Sequence, residues 1–178
     1  MPQYTVPFLS QYADLGHHEW RARGCGITAL KMVMDYWHGV DARNQAISLD
    51  ELLSEGLASQ AYREGVGWTH RGLAELAQSH GYESFNVDFA PQGKTPKALD
   101  EAWSMLVVEL ERGPVLASVY AGMDPNRGGG HIVVVTGFHD GMVLFNDPEE
   151  MAPREGQKSI ALEAFLLAFK RRYIVVCA

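Results

Sequence analysis

The chain has 178 residues, with 15 Lys+Arg against 22 Asp+Glu, and a formal charge of −7. Its 47% apolar and 21% charged residues match the make-up of a globular domain, and one domain over residues 1–178 is expected at this length. No apolar run reaches the roughly 18 residues that span a bilayer, and no basic cluster exceeds Lys170-Arg171-Arg172, so neither membrane embedding nor a nucleic-acid surface is indicated.

At the N-terminus, MPQYTVPFLSQY has no basic segment followed by a long apolar one, so no secretory signal is read and a cytoplasmic location is expected. Val6 to Ser10 reads as extended, with Pro7 holding Val6 away from helical geometry. Residues 11 to 24 are polar and punctuated by glycine, as a loop would be. A helix opens at Cys25 or Gly26 and runs to about His38. Ile27, Leu30, Val33, Met34 and Trp37 recur at helical spacing, and Ala29, Met32 and Tyr36 widen the stripe. Apolar around most of its circumference, this helix belongs in the core. Three amphipathic helices follow. Ser48 or Asp50 caps the first, and Thr69 caps the second, which stops at Gly81. The third starts at Thr95-Pro96 and ends before Gly113-Pro114.

Beyond Arg112 the pattern changes. Pro114–Tyr120, His131–Phe138, Met142–Phe145 and Tyr173–Val176 are rich in β-branched and aromatic residues, as strands are. His131–Phe138 is apolar on both faces and reads as a central strand covered on both sides. One further helix, Leu162–Phe169, precedes the last strand. Helices first and an antiparallel sheet afterwards make the fold class α+β.

Two cysteines are too few for a disulfide scaffold or a cysteine zinc site. Cys25 stands at a helix start, where the dipole and unpaired N–H groups favour a thiolate, the nucleophilic form. Gly24 and Gly26 beside it leave little bulk in the way of a substrate. The plainer alternative is a small buried apolar residue, as most free cysteines are. A nucleophilic cysteine needs a base, and the base an orienting partner. Among the seven histidines, His131 begins a buried strand directly after Gly128-Gly129-Gly130. Gly129 and Gly130 would let a substrate backbone come close. The next strand ends in Asn146-Asp147-Pro148, which supplies a carboxylate.

Turn geometry decides whether the two meet. A three-residue loop with a bulge at Gly141 pairs Phe138 with Met142 and hence Val133 with Asp147. His131 and Asp147 then become diagonal neighbours on one face, about 7–8 Å apart at Cα. A two-residue loop would put Asp147 on the other face. Gly141 favours the first.

Other candidates carry less. His17-His18-Glu19 has metal-binding residue types, but adjacent ligands on a loop rarely share one ion, so no metal site is expected. His70 falls in a first helical turn, with a cleft role as its alternative, and Trp68 and Trp20 are core residues or cleft walls. Cys177 ends an apolar strand. The Gly65-Val66-Gly67 and Gly128–Gly130 runs lack the context of a phosphate loop. Ala121 to Gly130 reads as a mobile loop over the site.

Together these stretches resemble the C39-like branch of the papain-fold cysteine peptidases, relatives of the bacteriocin leader-processing domains. The matching segments are Val6-Pro7 with Gln11, Cys25 to Met34, Gly113-Pro114-Val115, Gly130 to Phe138 and Asn146-Asp147-Pro148. The resemblance implies a papain-like fold, with a nucleophile helix packed on an antiparallel sheet that carries the histidine and aspartate. It implies Cys25 as nucleophile, His131 as general base and acid, Asp147 as orienter, and Gln11 as an oxyanion-hole donor. Gly24, Gly26, Gly129, Gly130 and Trp68 would line the substrate site. The expected substrate is a peptide or amide, with no cofactor. An acyl transferase running on the same residues and a non-catalytic peptide-binding module are the alternatives.

Overall fold

The computed structural model describes residues 2–41, 46–93 and 95–178. After an extended entry and a short 3-10 turn over His18–Arg23, helix α1 spans Cys25–Val40. Helix α2 (Leu49–Ala58) follows, then a two-stranded hairpin of β1 (Tyr62–Arg63) and β2 (Gly67–Trp68), and α3 (His70–Ser79). Strand β3 (Glu83–Asp88) leads to α4 (Pro96–Leu110), β4 (Val115–Val119), β5 (His131–His139) and β6 (Met142–Asn146). A single turn of helix, α5 (Pro153–Gly156), strand β7 (Gln157–Ala161), α6 (Leu162–Ala168) and β8 (Phe169–Cys177) complete it.

The helix starts follow local chemistry. Ser48 caps α2 as half of a capping box with Glu51, so Ser48 and not Asp50 is the cap. The Thr69 hydroxyl accepts from Gly72 N at the start of α3, and Thr95 does the same for Ala98 N ahead of Pro96 in α4. Gly81, at φ +86°, turns the chain out of α3 in a conformation that favours glycine.

Six strands form one antiparallel sheet in the order β3-β8-β4-β5-β6-β7. Each face has its own core. Leu116, Ile132, Val134, Ile174 and Val176 pack against α1, α2 and α3. Their strand neighbours Val115, Ala117, Val133, Val135, Tyr173 and Val175 pack with Trp103, Leu106 and Leu110 of α4 and Phe165 of α6. The expected burial of β5 on both sides is what the structure has. α1 is the helix most thoroughly enclosed, with Gly26 through Met34 all buried.

The helices-then-sheet order needs one correction. β3 lies between α3 and α4 and pairs with β8 as an edge strand. β7, the opposite edge, also differs from the expectation, and β8 begins at Phe169 rather than Tyr173. In β7 and β3, buried positions are few, so no apolar alternation marks them. In β8 the charges of Lys170 to Arg172 interrupt the pattern, and Arg171 sits at φ +57°.

The β5–β6 turn is also not as expected. His139 pairs with Met142 around a two-residue turn, with Asp140 at φ +49° and Gly141 at φ +75°. Alone, that turn would send Asp147 to the wrong face. A register shift between Val135 and Gly137 inserts Thr136 as an extra residue, so that Val134 opposes Asn146. The N-terminal segment covers this irregularity. Tyr4 N donates to Thr136 O at 2.8 Å and Gln3 bridges to Gly137, where any side chain would meet the Pro2 carbonyl and Gln3. The bulge restores the register that the loop had been expected to set.

Candidate active site

The N-terminus of α1 is held by aromatic packing. Trp68 lies against Gly26, where an added Cβ would come within 2.7 Å of its side chain, and its indole Nε1 donates to Arg23 O at 2.6 Å. Tyr62 stands edge-on to both Trp68 and Trp20, at centroid distances of 5.3 and 4.8 Å. Gly24 is buried against Leu15, Gln11 and the Trp20 carbonyl. Gly24 and Gly26 therefore permit close packing on either side of Cys25. Cys25, between them, is partly exposed and faces the cleft.

That cleft has a volume of about 450 Å³. Cys25, Trp68, Gly129, Gly130 and His131 line it together with Arg23, Tyr62, His70, Ser118, Lys170 and Arg172. Gly129, at φ +68°, is in a conformation that side chains rarely adopt. Trp68 is both a core residue and a wall of the cleft, with 8% of its surface exposed.

His131 enters from the first position of β5 and Asp147 from the residue after β6. Their side chains are 6% and 5% exposed as residues, and His131 Nε2 meets Asp147 Oδ1 at 2.7 Å. Cys25 and His131 line the same cleft and interact electrostatically. Burial works against a charged imidazole, but its interactions with Asp147 and Cys25 outweigh it and hold the His131 pKa well above its ordinary value. Burial likewise opposes charge on Asp147. The His131 imidazole and the Lys158 ammonium outweigh it and hold the carboxyl far below the usual carboxylate range.

Lys158, on edge strand β7, is a member of the site that the sequence did not suggest. Its Nζ lies 2.8 Å from Asp147 Oδ2 and 2.6 Å from Glu150 Oε1. Asp147 Oδ1 also accepts from Glu149 N at 3.1 Å. His131, Asp147 and Glu149 form the one group of three potential metal-ligating side chains among the described residues. There the Asp147 oxygens already take three donors, in keeping with a hydrogen-bond network.

Gln11 is 2% exposed, and its Nε2 donates to Arg21 O at 2.8 Å. Its backbone N–H is tied to Pro148 O, immediately after Asp147. An added Cβ on Gly24 would lie 3.3 Å from Gln11 Cβ, so this side chain packs one residue away from Cys25. His17 and Glu19 make an exposed pair at 3.4 Å, apart from the cleft residues. Cys177 is buried, and burial raises its pKa.

The sequence model of the Peptidase C39 like family matches residues 3–175. The chain belongs to this family. No curated protein matches it in sequence. Among solved structures it resembles a candidate C39-like peptidase from Bacillus anthracis, at 19% identity and a TM-score of 0.63, covering 98% of this chain and 95% of that one. A double-glycine-motif protease from an AMS/PCAT transporter, solved with its leader peptide, is similar at 18% identity and a TM-score of 0.61, covering 98% and 92%. The peptidase domain of Streptococcus ComA, a bifunctional ABC transporter of a quorum-sensing pathway, gives 18%, 0.58, 88% and 92%. The C39-like, papain-like α+β fold expected from the sequence is thus the fold of this chain.

Proposed function

We propose that this C39-like chain is a cysteine peptidase or amide hydrolase, with Cys25 as nucleophile, His131 as base and acid, and Asp147 as orienter. One observation carries the reading: a single buried imidazole, held by Asp147 at 2.7 Å, shares one open cleft with Cys25 at the start of α1. The raised His131 pKa keeps the ring protonated, and this favours the imidazolium–thiolate pair. The Cys25 sulfur adds to the carbonyl carbon, and the carbon–oxygen π electrons move to oxygen. His131 then gives its proton to the leaving nitrogen as the carbon–nitrogen bond breaks, leaving a thioester on Cys25. Water attacks the thioester, losing its proton to the imidazole, and the acid product leaves with the thiolate restored.

The developing oxyanion needs donors. The first turn of α1 carries N–H groups without helical partners, that of Cys25 among them. The Gln11 amide keeps a second N–H besides the one given to Arg21, and it acts with the Cys25 N–H here. Such a donor is typically worth about 3–4 kcal/mol. The leader peptide held by the similar transporter protease supports a peptide as the substrate class.

The test is mass spectrometry of a complex peptide mixture incubated with wild-type protein and with Cys25→Ala, with and without added glycinamide. New free carboxyl termini that depend on Cys25 support the hydrolase, and termini formed only as glycinamide adducts turn it into a transferase. Identical peptide patterns for the two proteins would contradict both and leave a peptide-binding module.

A further inference from the structure

The protein is acidic overall, at −7, yet among the described residues the cleft beside Cys25 is lined by three cations, Arg23, Lys170 and Arg172, and by no aspartate or glutamate. The carboxylates that pair with Arg23 and Arg172 stand outside the lining. Glu64 reaches Arg23 at 3.3 Å and Asp88 reaches Arg172 at 3.0 Å, both pairs being solvent-exposed and therefore weak. Lys170 donates to Gly129 O at 2.9 Å and lies 5.1 Å over the Tyr120 ring, which sets its ammonium at the glycine loop that borders the cleft.

His70 shares this cleft. Its Nε2 is buried and has no hydrogen-bond partner among the protein atoms, although a buried polar nitrogen ordinarily has one. Burial pushes its pKa down to about 4; Arg172 and Lys170 push it the same way, against the opposing pull of Asp88. The imidazole is therefore neutral at pH 7. Arg172 and Lys170, which add to the burial that discharges His70, are charges a carboxylate would be drawn to, and the unpaired nitrogen is a donor in want of an acceptor when it carries the proton.

We propose that the cleft selects peptide or amide substrates bearing a carboxylate close to the scissile bond, which Arg172, Lys170 and His70 bind. This rests on Cys25 being the nucleophile and adds a substrate class to that reading. The carboxylate comes either from an acidic side chain on the acyl side or from the chain terminus on the leaving side.

Two matched pairs of Cys25-directed labels separate these sources. Acetyl-Glu-Gly and acetyl-Gln-Gly chloromethyl ketones report the acyl side. Bromoacetyl-Gly-Gly as free acid and as amide reports the other. The readout is the ratio of second-order labelling rates, anionic over neutral, at low and at high salt. The expected ratio is about tenfold in one pair, equivalent to one hydrogen bond to a charged group. It should fall toward one in high salt and in the Arg172→Gln/Lys170→Gln variant, with the fold checked by circular dichroism. His70→Phe should reduce it partly. A ratio near one in both pairs, or a tenfold ratio indifferent to salt, would overturn the proposal. Cys25 labelling that depends on His131 would still stand in that case. Loss of the His131 dependence would instead strike at the nucleophile assignment itself.

Discussion

The two cysteines of this chain have the same side chain in opposite settings. Cys25 opens a buried helix with a glycine on either side, is partly exposed, and shares a cleft with an imidazole that is tied to a buried carboxylate. Cys177 ends the apolar strand β8, is buried in the core on the α4 face, and has its thiol form favoured by burial. The difference lies in what each thiol faces. A thiol in apolar packing is a small hydrophobe. A thiol beside an anchored, protonated imidazole is set up as a nucleophile.

The comparison breaks most decisively at the cysteines themselves. Cys25→Ala should lower peptide hydrolysis by at least about a thousandfold. Cys177→Ala should leave the rate within about twofold and cost about 1 kcal/mol of stability from the vacated packing volume. Hydrolysis assays with urea melts on both variants check this pair. His131→Ala comes next, with an expected loss of about 10² to 10⁴ in rate, since it removes the proton carrier. Lys158→Met, which takes away a charge-assisted hydrogen bond to Asp147 and not a reacting group, should cost about tenfold or less. Lys158→Arg should restore most of that loss, and a kcat effect without a KM effect would separate positioning from substrate binding.

Smaller effects lie in stability. Asp147 has a depressed pKa, so its contribution is present above its ordinary value of 3.8 and is lost as pH falls through the folded value. His131 has a raised pKa, so its contribution is present below 6.5 and is lost as pH rises through the folded value. The wild-type Tm should therefore fall below about pH 4 more steeply than that of Asp147→Asn. A parallel pair of curves would contradict the ionised pair. Gly26→Ala should cost about 1–3 kcal/mol because the new methyl meets the Trp68 side chain, and Tm measurements should show it without loss of the His131–Asp147 contact.

The sequence made the site legible where one residue type met one kind of element boundary. Cys25 stood at the start of an apolar helix and His131 at the start of an apolar strand, and both boundaries fall where the hydrophobic pattern put them. Asp147 was reached by an incorrect turn. The Asp140-Gly141 hairpin is the two-residue kind, and only the extra residue at Thr136, covered by Tyr4 and Gln3, returns Asp147 to His131. No local pattern announces a bulge whose partner lies more than a hundred residues away. Edge strands β3 and β7 escaped because half-exposed strands lack an apolar stripe, and Lys158 was hidden with β7. The basic lining of the cleft joins Arg23 to Lys170 and Arg172 of β8, two parts of the chain that meet only through the fold. The packing of Leu15 and Trp68 into the space left at Gly24 and Gly26 likewise appears only in the fold.

The most direct test of the central claim is the rate of iodoacetamide alkylation at pH 6, read by mass spectrometry at both cysteines of the same molecule. The arrangement predicts that Cys25 is labelled far faster than Cys177, and that His131→Ala removes most of that advantage. Equal labelling of the two thiols in the folded wild-type protein, or a Cys25 rate indifferent to His131→Ala, would contradict it.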